Sequence, residues 1–147
     1  MTERRSDMPG IDRLREMMAG PGAAPLGVLL GFRCIEVADG VAVFEGFPNE
    51  QHNNPQGTVH GGWTASVLDS ALGCAIETRI PPGCSYGTVE LKVNYVRPVT
   101  GQIGRMTCRG EIVHFGRRMA TSEARLVDEA GKLYAHGSCT CMIYEVD

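Results

Sequence analysis

The sequence predicts an α+β domain in which a curved antiparallel sheet wraps one long helix, and three observations lead there. At 147 residues the chain fits one domain with a substantial core. Only one long stretch, residues 60–76, has helical rather than alternating character. Two strand signals precede it and four follow it, an order that suggests a sheet layered on that helix.

The elements follow in chain order. Residues 1–25 are charged and rich in Gly and Pro, with Ile11, Leu14 and Met18 at helix spacing. They read as a short N-terminal helix and a mobile lead-in to a single domain over residues 26–147. Residues 32–37 and 41–47 flank Ala38-Asp39-Gly40, a turn signal, and form a hairpin. A polar loop over 48–58 leads into the central helix. Pro81-Pro82-Gly83 ends that helix, because proline cannot continue its hydrogen-bond ladder. Residues 86–96, 103–115, 119–128 and 133–144 read as strands, separated by turn-forming glycines and by Pro98.

The central helix is unusual. Thr64, Val67, Leu68, Ala71 and Ala75 form an apolar face, as a sheet-covered helix should. The other face carries Gly62, Ala65, Ser66, Asp69, Gly73 and Ile76, with Asp69 its only charge. A helix apolar or small all round is buried all round, and one sheet covers one side. A second copy of the chain is the simplest cover for the other.

Composition bounds the function. With 43% hydrophobic and 21% charged residues this is a globular chain, and no apolar run is long enough to span a bilayer. Residues 1–13 lack the apolar stretch of a signal peptide, so a cytoplasmic address is expected. A net charge of −3 argues against a nucleic-acid binder. Residues 91–127 hold seven bases against two acids, an excess that could hold a small polyanion. The six cysteines form no CxxC pair and read as reduced thiols; Cys139 and Cys141, two apart, share one strand face, expected to be the core. The four histidines show no ligand spacing, so neither a metal site nor a cofactor is expected.

Chemistry centres on the helix. Asp69 is a lone carboxylate among small residues, where backbone or ligand can approach, and so a usable base or nucleophile. His60-Gly61-Gly62 stands at the helix start, where backbone N–H groups lack intrahelical partners and can polarise a carbonyl. Ser66 with His60 and Asp69 could suggest a hydrolase triad, but no GxSxG elbow surrounds the serine.

Asn54-Pro55-Gln56-Gly57-Thr58-Val59-His60-Gly61-Gly62, then Leu68-Asp69-Ser70-Ala71, then Thr88-Val89-Glu90-Leu91-Lys92-Val93-Asn94-Tyr95-Val96-Arg97-Pro98 resemble the hotdog-fold acyl-CoA thioesterases of the phenylacetate-degradation (PaaI-like) type, over residues 29–144. The resemblance implies a hotdog fold, acyl-CoA as substrate, active sites between two subunits, and dimers paired into tetramers. It implies Asp69 as nucleophile or as base for water, the Gly61 N–H as the donor polarising the thioester carbonyl, and Asn54 as an amide orienting water or the leaving sulfur. His60 would position the loop, and Thr88 would support the carboxylate from the partner subunit. Arg97, Arg117 and Arg118, with Gly62, would hold CoA. Trp63 is bulkier than the family pattern and would either narrow the acyl pocket or fill the core. A hotdog dehydratase or hydratase, whose His-Phe-Pro or Asp/His patterns are missing here, and a noncatalytic acyl-CoA binding module are the rival functions.

Overall fold

The computed structural model describes residues 6–146; the first five residues of the expected lead-in and Asp147 lie outside it. Helix α1 (Gly10–Ala19) buries Leu14 and is docked, not mobile. The Gly10 N–H donates to the Ile80 carbonyl at 2.9 Å, and Arg13 Nε donates to Glu77 Oε1 at 3.0 Å, with both side chains less than a tenth exposed. The segment behind α1 is tied down as well, since the Gly22 carbonyl accepts from the Cys34 N–H at 2.7 Å. A second helix, α2 (Pro25–Leu30), stands where the sequence predicted only the approach to a strand. Its signals are terminal: Pro25 opens it, and Gly31 closes it in the left-handed conformation at φ 72°.

Strands β1 (Phe32–Ala38) and β2 (Val41–Gly46) form the expected hairpin. Helix α3 (Gly61–Glu77) is the central helix, followed by β3 (Cys84–Tyr95), β4 (Met106–Phe115), β5 (Met119–Val127) and β6 (Leu133–Glu145). All pairings are antiparallel, in the order β1-β2-β4-β5-β6-β3. β3 therefore leaves its sequence neighbour β4, crosses to the far edge and pairs with β6.

α3 contacts every strand, so the sheet wraps it. Val67, Leu68, Ala71, Leu72, Ala75 and Ile76 are fully buried. At β4 the approach is close enough to require glycine: a Cβ on Gly110 would overlap the Ala71 carbonyl oxygen and stand 2.7 Å from its carbon. The expectation of a bare second helix face needs correcting. Ile76 is buried by its own chain, and Gly73 lies under the Tyr86 ring, so past the exposed first-turn Gly62 and half-exposed Gly61 the open positions shrink to Ala65, Ser66, Asp69, Ser70 and Cys74, each half-exposed. Trp63 fills the core, 3% exposed, with its indole N–H donating to the Leu30 carbonyl at 2.8 Å.

The basic excess over residues 91–127 is partly neutralised. Arg105 and Arg33 both hold the buried Glu45 carboxylate, at 2.7 and 2.8 Å, while Arg109 pairs with Glu111 at 2.6 Å. Burial alone would push the Glu45 carboxyl up, but its two guanidinium partners outweigh that and hold it below its ordinary value.

Candidate active site

The loop before α3 fixes how the helix begins. Asn54 folds the loop on itself: its Oδ1 accepts from the Gln56 N–H (3.0 Å) and the Thr58 N–H (3.2 Å), and its Nδ2 donates to Thr58 Oγ1 (3.0 Å). Asparagine is suited to this because its side chain mimics a backbone turn. His60 is the N-cap of α3: its Nδ1 accepts from the Gly62 N–H at 2.8 Å, and its carbonyl accepts from the Trp63 N–H at 2.9 Å.

That capping decides which donor stays open. The first-turn N–H groups of a helix have no intrahelical acceptors. With Gly62 and Trp63 satisfied by His60, the Gly61 N–H has no acceptor among the described residues. Gly62, expected among the residues holding CoA, is exposed, but its N–H is occupied. Gly61 lines a cleft of about 330 Å³ with Asn54, Thr64, Tyr95 and Arg97. Open donors at the positive end of a helix dipole suit a developing oxyanion. Tyr95 is a neighbour that spacing did not reveal. Its hydroxyl donates to the Gly61 carbonyl at 2.9 Å, and its ring lies 3.1 Å from where a Gly61 Cβ would stand.

Asp69 lies further along α3, half-exposed, and its Oδ1 accepts from Thr88 Oγ1 at 3.1 Å. The resemblance implied that Thr88 reaches the carboxylate from a partner subunit. The structure brings the two together within one chain, because β3 crosses to the sheet edge and runs beside α3. The β3–β6 register shifts between Thr88 and Glu90, a bulge of the kind that re-aims a side chain. Cys141 Sγ stands 3.7 Å from Thr88 Oγ1 on the inner side. Ser66 is not part of a triad: its hydroxyl donates back to the Gly62 carbonyl at 2.7 Å, while the His60 ring faces Gly62.

Within one chain the open N–H and the carboxylate stand apart. Gly61 and Asp69 are eight residues apart on one helix, a rise of roughly 12 Å. An oxyanion donor and a carboxylate acting on one carbonyl carbon must lie within a few ångströms of it. The arginines divide in the same way. Arg97 donates to the Leu133 carbonyl at 2.8 Å and lines the Gly61 cleft. Arg117 and Arg118 lie at the other end of β6, roughly 30 Å along the strand, where the Arg118 carbonyl accepts from the Ile143 N–H. There they line a second cleft of about 650 Å³ with Phe115, Met142 and Tyr144. The three arginines expected to act as one phosphate site are not together in a single chain.

A helix wrapped by a six-stranded antiparallel sheet in this strand order is the hotdog fold. The chain belongs to the thioesterase superfamily, whose family model matches residues 56–135, and it is a thioester hydrolase with PaaI-like relatives. It is 31% identical to acyl-coenzyme A thioesterase 13 of Mus musculus, over 90% of this chain and 84% of that one. A mutant of phenylacetic acid degradation protein PaaI from Thermus thermophilus is 32% identical and superposes with a TM-score of 0.73, covering 81% of this chain and 98% of that one. A thioesterase family protein from Silicibacter pomeroyi superposes with a TM-score of 0.81 at 25% identity, over 93% of this chain and 99% of the other. None of the helices among the described residues is long and apolar enough to cross a membrane.

Proposed function

We propose that the chain hydrolyses acyl-CoA thioesters of short, medium or aromatic acyl groups, in a site that two copies build together. Gly61 and Asn54 come from one copy, Asp69 and Thr88 from the other. The observation that carries this reading is the separation of the open Gly61 N–H from the Thr88-held carboxylate along a single helix. A two-fold assembly brings the halves of different chains together and makes two equivalent sites. β3 supplies a surface for it: a twelve-residue edge strand on which Val89 is 60% and Tyr95 57% exposed. Long apolar edges are rare on monomers, because their unpaired backbone groups recruit another strand. Pairing of two such dimers completes the tetramer that the resemblance implies.

In this site the Gly61 N–H holds the thioester oxygen as charge develops on it. Asp69 either takes a proton from water attacking the carbonyl carbon, and passes that proton to the sulfur as the C–S bond breaks, or attacks the carbon itself, expelling the CoA thiolate and forming a mixed anhydride that water then cleaves, the water's proton going to the thiolate. Both routes release CoA thiol and the free acid and restore the Asp69 carboxylate. The Thr88 hydroxyl fixes the carboxylate rotamer. His60 holds the loop by capping α3, and Asn54 shapes that loop while bordering the cleft where water or sulfur would lie. Each half-site brings cations for the CoA phosphates: Arg97 beside Gly61, and Arg117 with Arg118 two residues along β6 from Cys141, the partner of Thr88. All six cysteines are free thiols, which supports a reducing, cytoplasmic setting.

The test is a panel of acyl-CoA thioesters with the released thiol trapped as readout, run on the native chain and on Asp69→Asn. The native chain should turn over, and Asp69→Asn should lose roughly 10²-fold or more with fold and assembly intact. Near-normal turnover in Asp69→Asn contradicts the assignment. Binding of acyl-CoA without turnover in the native chain favours the noncatalytic module.

A further inference from the structure

Behind Asp69, polar atoms continue into the core. Thr88 Oγ1 meets Cys141 Sγ at 3.7 Å, Cys141 Sγ meets Cys139 Sγ at 3.7 Å, Cys139 Sγ meets Ser122 Oγ at 3.2 Å, and the Ser122 hydroxyl donates to the Leu72 carbonyl at 2.9 Å. The chain leaves α3 at Asp69, crosses β3, β6 and β5, and returns to α3 at Leu72. Ser122, Cys139 and Cys141 are each 1% exposed or less, so no solvent competes for the contacts among them, while Thr88 carries the chain out to the surface. A hydroxyl has one hydrogen. That of Thr88 is given to Asp69 and that of Ser122 to Leu72, which leaves the thiols as the donors: Cys141 to Thr88, and Cys139 to Ser122.

Resting on the proposed function above, we infer that Cys141 is a positioning residue for hydrolysis: it acts through Thr88, orienting that hydroxyl on Asp69, and Cys139 with Ser122 anchors it to the helix that carries the carboxylate. A threonine on a strand has alternative rotamers, and its neighbourhood must select the one that reaches α3. The bulge beside Thr88 aims the backbone, and the Cys141 thiol supplies the donor that rewards one rotamer.

Ionisation of Cys141 gives this arrangement a pH signature. The groups facing Cys141 are Asp69 from α3, Thr88 from β3 and Cys139 from its own strand. Once Cys141 ionises, Cys139 and then Thr88 can turn their hydrogens to its thiolate, which holds the Cys141 thiol below its ordinary value, against burial and the Asp69 charge, while the same pairing with Cys141, aided by burial, raises the Cys139 thiol. As pH rises and Cys141 becomes a thiolate, its sulfur becomes an acceptor and draws the Thr88 hydrogen away from Asp69. Turnover should fall on the alkaline side.

The experiment is a double-mutant cycle on kcat and KM for one good acyl-CoA substrate, with Cys141→Ala, Thr88→Val and the pair. Cys141→Ala should lower kcat about tenfold, the worth of one hydrogen bond, with KM within about twofold. It should cost nothing further once Thr88 is valine. Cys141→Ser keeps a donor and should recover most of the lost kcat while abolishing the alkaline fall, because a serine hydroxyl does not ionise in that range. Losses that simply add, or an equal loss in Cys141→Ser, mean that Cys141 only packs and overturn the inference. If Cys141→Ala does not fold, the serine variant decides alone: an unchanged alkaline fall overturns the inference and a vanished one supports it. Full turnover in Asp69→Asn overturns the site and this inference together, whereas an inactive Asp69→Asn with additive losses removes only Cys141.

Discussion

Replacing Gly61 with proline isolates the N–H proposed to hold the oxyanion. The local backbone is prepared for it. Proline is favoured at the first position of a helix, and the residue before a proline must be extended; His60 has φ −57° and ψ 136°. The ring would meet Tyr95, whose atoms lie 3.1 Å from where a Gly61 Cβ would stand, but Tyr95 is 57% exposed and can give way. No neighbouring donor can substitute, since the Gly62 and Trp63 N–H groups are held by His60. The cost is therefore that of one oxyanion donor, about 10²- to 10³-fold in kcat, or roughly 3–4 kcal/mol. Gly61→Ala is the control, because it adds the same carbon and keeps the N–H. Steady-state hydrolysis of an acyl-CoA by both variants, with circular dichroism to confirm the helix, gives the comparison. Equal losses in the alanine and proline variants, or none in either, refute the oxyanion argument.

Two stability predictions follow from the packing. Gly110→Ala forces a carbon into the Ala71 backbone, which neither strand nor helix can avoid without parting, and urea unfolding should show a loss near the upper end of overpacking costs, about 3 kcal/mol; an unchanged midpoint contradicts the close α3–β4 contact. Glu45→Gln removes a carboxylate held by two half-exposed arginines and should cost roughly 1–2 kcal/mol at neutral pH. Because the Glu45 carboxyl is held below its ordinary value of 4.5, its contribution is present above that pH and lost as the pH falls through the lowered value. Acid titration of stability should therefore be flatter in the variant below about pH 4.5, and parallel curves contradict the assignment.

Much of the fold is legible in the sequence because periodicity and punctuation agree. Gly40 turns the first hairpin at φ 73°, the helix runs unbroken from its His60 cap to Glu77, a turn short of Pro81, and all four later strands lie close to where the strand signals put them. Helix α2 escapes because six residues are too short for a period to register, leaving only Pro25 and Gly31 as signals. Strand order escapes for a different reason. Nothing local says that β3 leaves β4 and pairs with β6, yet that crossover brings Thr88 to Asp69 within one chain and Tyr95 to Gly61. The candidate residues can be picked out by spacing, but their partners cannot. Asn54 turns into its own loop, His60 removes Gly62 from the open donors, and β6 holds Arg97 apart from Arg117 and Arg118. Cys139 and Cys141 sit on the buried face as two-residue spacing requires, but their link to Thr88 depends on the register of β3 on β6.

The central claim is that each site takes Gly61 from one copy and Asp69 from another, and subunit mixing tests it most directly. Asp69→Asn and Gly61→Pro chains, each inactive alone, are unfolded together and refolded at equal concentration, then assayed with an acyl-CoA. Random pairing makes half the dimers mixed, and each mixed dimer holds one site with both intact halves, so the mixture should regain about a quarter of native activity. If each chain instead holds a complete site of its own, the mixture stays as inactive as its parents, and the shared-site account fails.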